Sequence, residues 1–299
     1  GVYETGSIFK IFSTAAILEY ENTPMSRRYD AREPLEFGRH KIRDFHPQER
    51  RLSLPEVFVF SSNIGSALIG QELGAERLKK FYSDLGLFDL PDIAVPEVGR
   101  PLMPAPWREI NTLTAAYGHG LATTPLQTAA AVSAAVGDGT LVRPRFVMSK
   151  AKKSAETPIL RPQTAHRMRQ LLRLAVTHGT GGKADVPGYE VGGKTGTAEK
   201  IIDGNYSKSN LLSSFVGVFP MSAPRYTVLV MIDEPKGTKA SFGYATGGWV
   251  AAPAVAGIIE ASGPLLGVPV KDQAESTAFA APLERHIKVE EEETRLVSY

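Results

Sequence analysis

Apolar residues near the start of the chain recur at the spacing of a helix face. Within residues 7–20 they stand three or four positions apart, at Ile8, Ile11, Phe12, Ala15 and Leu18. This period is typical of a helix with a buried face. Because Ser7 follows Gly6 and serine is a common N-cap residue, the pattern predicts a helix that begins at Ser7.

Two further helices are predicted on either side of a short polar turn. Ser53 and Glu56 have the spacing of a capping box, in which each side chain bonds the other's backbone N–H. An apolar run then meets Ser-Ser-Asn at residues 61–63, residue types that favour caps and turns over helix interiors. The next helix is expected over residues 64–73, because Gly74 is typical of a helix end.

The second half of the chain changes from helical to strand patterning. Thr124 and Pro125 suit the N-cap and first position of an alanine-rich helix that ends near Gly137. β-Branched and aromatic runs follow, separated by turn residues, which predicts consecutive antiparallel strands. Further helices are expected at residues 163–177 and 249–261, and strands at residues 189–197, 213–219 and 226–232. This order indicates an α+β fold, an antiparallel sheet flanked by helices.

Two segments lack these patterns. Residues 21–52 are polar and rich in arginine, which predicts a surface excursion with a solvated charged face. After Gly263 the composition becomes tail-like, and the glutamate run 290–293 is expected to remain solvated. The sequence thus indicates one domain at residues 1–262 and an acidic, mobile C-terminal extension at residues 263–299.

Composition excludes several classes of function. The 34 basic and 32 acidic residues give a net charge of +2, so no broad positive field exists to hold nucleic acid. The chain has no cysteine, which excludes disulfides and thiol catalysis. Its 6 histidines are scattered without metal-ligand spacing, so neither a metal site nor a cofactor is expected. His119 stands between Gly118 and Gly120, an arrangement that favours a structural role in tight backbone packing.

The first of three candidate chemical patterns is Ser-Ile-Phe-Lys at residues 7–10. A helix would bring Ser7 and Lys10 to the same face. Burial in an apolar helix lowers the pKa of a lysine, and a neutral amine can remove the proton of a serine hydroxyl. The plain alternative is a helix cap followed by a surface lysine. Ser149 and Lys152 repeat the spacing in a polar stretch, where it is a coincidence.

The other two patterns are Ser-Ser-Asn at residues 61–63 and Lys-Thr-Gly-Thr at residues 194–197. A hydroxyl and a carboxamide on a turn can relay a proton and hold a substrate amide, although helix capping explains the same residues. On a strand, alternation places Lys194 and Gly196 on one face and the two threonines on the other. Such groups beside a strand edge suit a substrate carboxylate and peptide backbone, or else a lysine that merely protects the edge.

In the order S-x-x-K, S-x-N and K-T-G, the three patterns match the signature of penicillin-binding proteins and class A β-lactamases. The match extends to residues 117–127 and 179–189, which precede a core helix and the third pattern. Over about residues 1–262 the chain resembles the class B penicillin-binding proteins, in particular the division-specific peptidoglycan D,D-transpeptidases of the penicillin-binding protein 3 type. The family usually has proline and threonine where this chain has Thr5 and Ile8, positions without chemistry.

The resemblance implies the chemical roles. Ser7 would be the acylated nucleophile and Lys10 its general base. Ser61 would relay a proton to the leaving amine, and Lys194 would sustain the electrostatics around Ser61.

The resemblance also implies how the substrate is held. Asn63 would bind the substrate's peptide amide. The terminal carboxylate would bind along Thr195, Gly196 and Thr197. Backbone N–H groups of Ser7 and Thr197 would form the oxyanion hole.

By the same resemblance, the enzyme attacks the D-Ala-D-Ala bond of a peptidoglycan stem peptide, releases D-Ala and passes the acyl group to an amine of a neighbouring strand, in septal cell-wall synthesis. β-Lactams would acylate Ser7 as covalent inhibitors. The family places the first strands of the sheet, a non-catalytic pedestal and a membrane-anchoring helix upstream of these residues. Division proteins, including a septal glycosyltransferase, would bind mainly through that upstream part, at the periplasmic face of the bacterial inner membrane.

Three alternatives remain open. A serine β-lactamase shares the fold and the patterns, although the E-x-x-L-N segment common in class A enzymes does not occur. A β-lactam sensor domain would be acylated without turning over cell-wall substrate. A structural module would bear the patterns without being acylated. A β-lactamase would have a short-lived acyl-enzyme, and a sensor would release no D-Ala. A structural module would not be labelled by penicillin at Ser7.

Overall fold

The computed structural model describes residues 1–147 and 158–288. Its strands are β1 (Arg28–Asp30), β2 (Leu35–Phe37), β3 (His40–Ile42), β4 (Arg51–Ser53), β5 (Gly192–Ile202), β6 (Asn205–Phe219) and β7 (Tyr226–Asp233). Its α-helices are α1 (Lys10–Glu21), α2 (Leu54–Val59), α3 (Asn63–Asp84), α4 (Glu109–Ala115), α5 (Pro125–Val136), α6 (Pro162–Thr177), α7 (Gly247–Ser262), α8 (Gln273–Ala278) and α9 (Ala281–Glu284). The α+β class predicted from the sequence is confirmed.

Strands β5, β6 and β7 form an antiparallel sheet with β6 in the middle. The β5–β6 hairpin turns at Asp203 and Gly204, which both have positive φ, as a tight two-residue hairpin turn requires. Successive residues of β6 face opposite sides, because Phe215 packs with α7 whereas Val216 packs with the core that contains α1 and α6. The sheet therefore lies between α7 and the remaining helical layer.

Helix α1 is buried along most of its length. Residues 10–18 are all buried, and the helix packs against α3, α5 and α6. Lys10 is the one charged side chain in this stretch and is 0% exposed. A lysine in such surroundings must be hydrogen-bonded, paired or neutral.

The backbone around Ser7 differs from the predicted helix. Gly6–Phe9 forms a 3-10 turn, and α-helical geometry begins at Lys10. Gly6 has a φ of 54° and lies against strand β5, where an added Cβ would stand 2.8 Å from the Thr197 carbonyl oxygen. Because β5 approaches so closely, the chain turns more tightly than an α-helix, and Ser7 is not an α-helical N-cap.

Capping signals identified two helix starts correctly, and helical geometry is interrupted at Gly74, where a helix end was expected. The predicted capping box forms at Ser53 before α2, and the predicted N-cap Thr124 also forms a capping box, with Gln127, before α5. Gly74 is non-helical, with a φ of 75° and a ψ of 165°, and a further helical segment that the sequence did not predict continues α3 to Asp84. The helix resumes because apolar residues beyond the kink, among them Leu78, remain buried.

Residues 21–52 are largely exposed, as predicted, but they are more ordered than a surface excursion. Strand β1 pairs with β4, and β2 pairs with β3, each in antiparallel register. Tyr29 of β1, Ile42 of β3 and Leu52 of β4 are buried. The segment therefore covers part of the helical core.

Residues 263–288 pack against the domain and do not form the tail that the composition suggested. Ala280, Leu283 and Ile287 belong to the main core. The Ser53 hydroxyl donates to the His286 carbonyl oxygen at 2.6 Å. Helices α8 and α9 are too short to give a periodic pattern, which is why the sequence did not reveal them. The domain boundary at residue 262 remains a prediction.

Two sequence features lie outside the described residues: the glutamate run 290–293 and the pair Ser149 and Lys152. Across residues 1–147 and 158–288, no helix combines the length and the apolar character needed to span a membrane.

Candidate active site

Lys10 points its side chain from the start of α1 into the polar turn between α2 and α3. Its Nζ lies 2.8 Å from Asn63 Oδ1 and 3.1 Å from Ser61 Oγ, and it also donates to the Ser61 carbonyl oxygen. Asn63 Nδ2 in turn donates to the Arg43 carbonyl oxygen at 2.9 Å, which fixes the orientation of the amide. The fold thus brings the first two patterns into direct contact.

Ser61 joins both lysines of the site. Its φ of 59° lies in the left-handed region, which costs a non-glycine residue about 1–2 kcal/mol. In this conformation both its carbonyl and its hydroxyl face Lys10, and Lys194 Nζ lies 2.9 Å from the same hydroxyl. The backbone of Ser61 is therefore strained, and strained backbone conformations cluster at functional sites.

Strand β5 supplies the third pattern in the alternation that the sequence predicted. Gly196 faces the segment before Ser7, since an added Cβ would stand 2.2 Å from the Thr5 carbonyl oxygen. The threonines face the other way. Thr195 Oγ1 shares a hydrogen bond with Thr180 Oγ1 at 2.7 Å, and Thr197 Oγ1 accepts from the backbone N–H of Gly247, the first residue of α7, at 3.1 Å.

Burial makes both lysines weakly basic. It lowers the pKa of Lys10 well below 10.5, and the nearby Lys194 lowers it further, while Asp44 opposes the shift. Burial also lowers the pKa of Lys194 to about 7. Because the two amines share one hydroxyl and repel each other when both are charged, a proton on one disfavours a proton on the other, so the pair readily holds one neutral amine.

Ser7 lies one turn before Lys10, whose backbone N–H donates to the Ser7 carbonyl oxygen. The Ser7 side chain is half-buried, as are Ser61 and Asn63, so these polar groups reach solvent while both lysines do not. The contact between Gly6 and Thr197 sets the backbone N–H groups of Ser7 and Thr197 on adjoining segments. Such a pair of donors can receive an oxyanion.

Asp44 is a supporting residue that the sequence interpretation missed. Its carboxylate accepts the Ser62 hydroxyl at 2.8 Å and the Ile64 backbone N–H at 2.9 Å. Asp44 thereby holds the start of α3 and the turn that carries Ser61. No motif marks it, since it lies in the segment interpreted as a surface excursion, and only the tertiary contact reveals it.

This fold, with the three patterns brought together at one end of the sheet, defines the class of penicillin-binding proteins and serine β-lactamases. A family model described as the penicillin binding protein transpeptidase domain matches residues 1–260. The chain belongs to that family.

Similar curated proteins are about twice as long as this chain. The probable peptidoglycan D,D-transpeptidase FtsI of Caulobacter vibrioides is 39% identical over 296 residues, which cover 94% of this chain and 50% of that protein. Stage V sporulation protein D of Bacillus subtilis is 36% identical over 290 residues, covering 91% of this chain and 44% of that protein. The chain therefore spans about half the length of these two relatives.

Solved structures share the fold. The transpeptidase domain of penicillin-binding protein 3 from Burkholderia pseudomallei is 32% identical, with a TM-score of 0.82, covering 90% of this chain and 81% of that one. Penicillin-binding protein 3 from Mycobacterium tuberculosis, solved in complex with aztreonam, is 26% identical with a TM-score of 0.82, covering 91% of this chain and 64% of that one. The family and fold predicted from the sequence are confirmed.

Lys194→Met is expected to stabilise the fold. At neutral pH the unfolded chain carries a charged Lys194, whereas burial lowers the pKa of the folded-state amine to about 7. Because a tenfold change in proton affinity is worth about 1.4 kcal/mol, the substitution should raise the free energy of unfolding by on the order of 3 kcal/mol, allowing for the lost bond to Ser61. Thermal and denaturant unfolding measure the change.

This gain should depend on pH. Between the folded-state pKa of about 7 and the ordinary value of 10.5, the unfolded chain binds more protons at Lys194 than the folded chain does. Wild-type stability therefore rises with pH across that window, and the advantage of the variant declines over it. A variant that is less stable than the wild type at neutral pH would contradict a desolvated amine at this position.

Proposed function

We propose that this chain is the transpeptidase domain of a peptidoglycan D,D-transpeptidase that works through an acyl-enzyme at Ser7. Family membership supports the reaction class. The single observation that carries the assignment of residues is the Ser61 hydroxyl, which lies 3.1 Å from Lys10 Nζ and 2.9 Å from Lys194 Nζ. A hydroxyl shared by two buried amines can pass protons between the attack and departure steps.

In the acylation step, Ser7 Oγ attacks the carbonyl carbon of the D-Ala-D-Ala peptide bond. The neutral amine of Lys10 takes the hydroxyl proton, and the backbone N–H groups of Ser7 and Thr197 stabilise the oxyanion. When the C–N bond breaks, Ser61 donates its proton to the departing nitrogen and regains one from a neighbouring lysine. D-Ala leaves as the free amine, and the peptide remains bound to Ser7 as an ester.

In the second step, a neutral amine of a neighbouring strand attacks the ester carbonyl. The amine proton passes through Ser61 and Lys10 to the Ser7 oxygen as the ester bond breaks, so an amide cross-link forms and the free serine is restored. The same groups thus act in reverse order, and no cofactor or metal is needed.

Groups on strand β5 and at the start of α3 suit the binding of the substrate. Thr195, Gly196 and Thr197 present hydroxyl and backbone donors beside Lys194, which suits the terminal carboxylate of the donor peptide. Asn63, fixed between Lys10 and the Arg43 carbonyl oxygen, suits the substrate amide. β-Lactams, which mimic this terminus, acylate Ser7. The aztreonam and ampicillin complexes solved for penicillin-binding protein 3 of Mycobacterium tuberculosis support this inhibition.

The cellular setting is also part of the proposal. Similarity to a protein named FtsI supports a role in septal wall synthesis at the periplasmic face of the inner membrane. Anchoring by an N-terminal helix, and contacts with division proteins including a septal glycosyltransferase, would then involve regions upstream of this chain. Peptidoglycan stem peptides and β-lactams are the ligands of the domain itself, and nucleic acid is not expected to bind.

Release of D-Ala from a D-Ala-D-Ala peptide or its thioester analogue tests the function. The protein should release D-Ala and transfer the acyl group to an added amine, while the Ser7→Ala variant should do neither. Acylation by penicillin without D-Ala release would favour a sensor domain. Hydrolysis of the penicilloyl-enzyme within seconds would favour a β-lactamase.

A further inference from the structure

Glu4 is a largely buried carboxylate at the edge of the candidate active site. Its side chain is 17% exposed and lies three residues before Ser7. The Tyr206 hydroxyl donates to Glu4 Oε1 at 2.9 Å, and His119 Nδ1 lies 3.8 Å from Oε2. The Gly120 backbone N–H also donates to the carboxylate. We call Glu4, His119 and Tyr206 the Glu4 cluster.

The cluster joins three separate parts of the fold. Glu4 precedes the 3-10 turn, His119 lies in the loop before α5, and Tyr206 lies on β6 where it pairs with Ile201 of β5. The His119 ring stands 4.5 Å from the Tyr206 ring and stacks on Tyr117. The Glu4 carboxylate thus connects the segment before Ser7 to two neighbours, the loop before α5 and the β5–β6 hairpin.

Those neighbours fix the backbone of Ser7. The loop is so close that a Cβ on Gly118 would stand 2.0 Å from the Gly6 carbonyl oxygen. On the other side, Gly6 lies against the Thr197 backbone. The segment at residues 3–6 therefore lies between the loop and β5, and its position decides how the backbone N–H groups of Ser7 and Thr197 are aligned.

Charge within the cluster depends on pH. Burial raises the pKa of Glu4, against the opposing effects of His119, Tyr206 and the Gly120 N–H. Burial and the Glu4 charge raise the pKa of Tyr206, with smaller contributions from Tyr117 and Glu199. Tyr117, from the loop before α5, and Glu199, from β5, are the titratable neighbours that face the cluster. Because the pKa values of Tyr206 and Tyr117 are raised, both stay neutral over the ordinary range, and the relevant charge is that of Glu4.

We propose that Glu4 is a positioning residue of the acylation reaction: its ionised carboxylate, held by His119 and Tyr206, keeps the turn that carries Ser7 aligned with Thr197 on β5. This inference rests on the proposed function of Ser7 as nucleophile. Protonation of Glu4 removes its negative charge and weakens the hydrogen bond that its carboxylate accepts from Tyr206. Acylation should therefore slow at acidic pH for two reasons. Protonated Lys10 cannot accept the Ser7 proton, and protonated Glu4 no longer keeps the turn that carries Ser7 aligned with Thr197.

The experiment compares Glu4→Gln and Tyr206→Phe with the wild type in penicillin acylation rates across pH. Glutamine keeps the size and the acceptor of Glu4 but not its charge, so acylation at neutral pH should fall about tenfold. On the acid side the log rate should fall more steeply in the wild type than in Glu4→Gln around the ionisation of Glu4, and the two profiles should converge at low pH, because protonated Glu4 and glutamine are both uncharged. Tyr206→Phe should also lower the rate, and the double variant should lose less than the product of the two single losses.

Matched controls separate alignment from general stability. Glu19→Gln removes a carboxylate that is equally buried (15% exposed) and ion-paired to Arg161, and Tyr20→Phe removes a hydroxyl of similar exposure to Tyr206. Both should leave the acid-side slope unchanged. If Glu4→Gln keeps the wild-type slope, whether its rate is unchanged or lowered together with its melting temperature, the inference is overturned. A wild type that forms no adduct at Ser7 would instead refute the proposed function, and the inference with it.

Discussion

Replacing Lys10 with methionine is expected to lower the rate of penicillin acylation on the order of 10³-fold while leaving the protein folded. Methionine has a similar length but no basic amine, so the Ser7 hydroxyl loses its proton acceptor. The fold should tolerate the change because Lys10 is 0% exposed and its pKa is lowered mainly by burial. Stopped-flow acylation and thermal unfolding, measured on the same preparation, give the two quantities.

The control for this variant is Lys80→Met, which removes an exposed lysine ion-paired to Asp84 far along α3. It should be acylated at the wild-type rate. Lys10→Met that is acylated as fast as Lys80→Met would show that Lys10 is not the base. A slow variant that has also lost its cooperative unfolding transition would call for Lys10→Gln, which restores hydrogen bonding to Asn63 without restoring a base.

The second large effect is expected for Ser61→Ala, whose acylation rate should fall about 10²-fold. The substitution removes the hydroxyl that lies between Lys10 and Lys194, and with it the proton path to the leaving nitrogen. A thiolate leaves without the proton that a departing amine needs, so the loss of acylation rate should be larger for a peptide donor than for a thioester donor. Turnover of the two donors by the same variant measures this difference.

The neighbouring hydroxyl provides the control for Ser61→Ala. Ser62 Oγ accepts the Gly65 backbone N–H at 2.9 Å and donates to Asp44, so it caps α3 and touches neither lysine. Ser62→Ala should cost about 1 kcal/mol of stability, as loss of a cap does, with a smaller effect on acylation than Ser61→Ala. The opposite ranking of the two variants in acylation would contradict the proposed relay.

Much of the fold could be predicted from local signals. The capping boxes at Ser53 and Thr124, and the turn residues between strands, depend on interactions within a few residues, and the structure contains them. The three polar patterns were also recognisable, because their order along the chain and their expected elements agreed. Local consistency of this kind is what allows a fold to be predicted from its sequence.

Other features depend on contacts distant in the chain. The 3-10 turn at Ser7 follows from the close approach of β5 to Gly6, and the left-handed backbone of Ser61 follows from its place between two helices and two lysines. His119, which the sequence indicated as a structural residue, lies beside a buried carboxylate that belongs to no motif. Asp44 and Glu4 could not be found from spacing, because each acts through a residue that is remote in sequence.

Intact-mass spectrometry after brief penicillin treatment, with the adduct mapped to a peptide, is the most direct test of the central claim. The claim is that buried, weakly basic amines activate one hydroxyl, that of Ser7. We expect a single long-lived penicilloyl adduct on the peptide that contains Ser7, and none in Ser7→Ala. An adduct at another serine, or equal labelling of the wild type and Ser7→Ala, would contradict it.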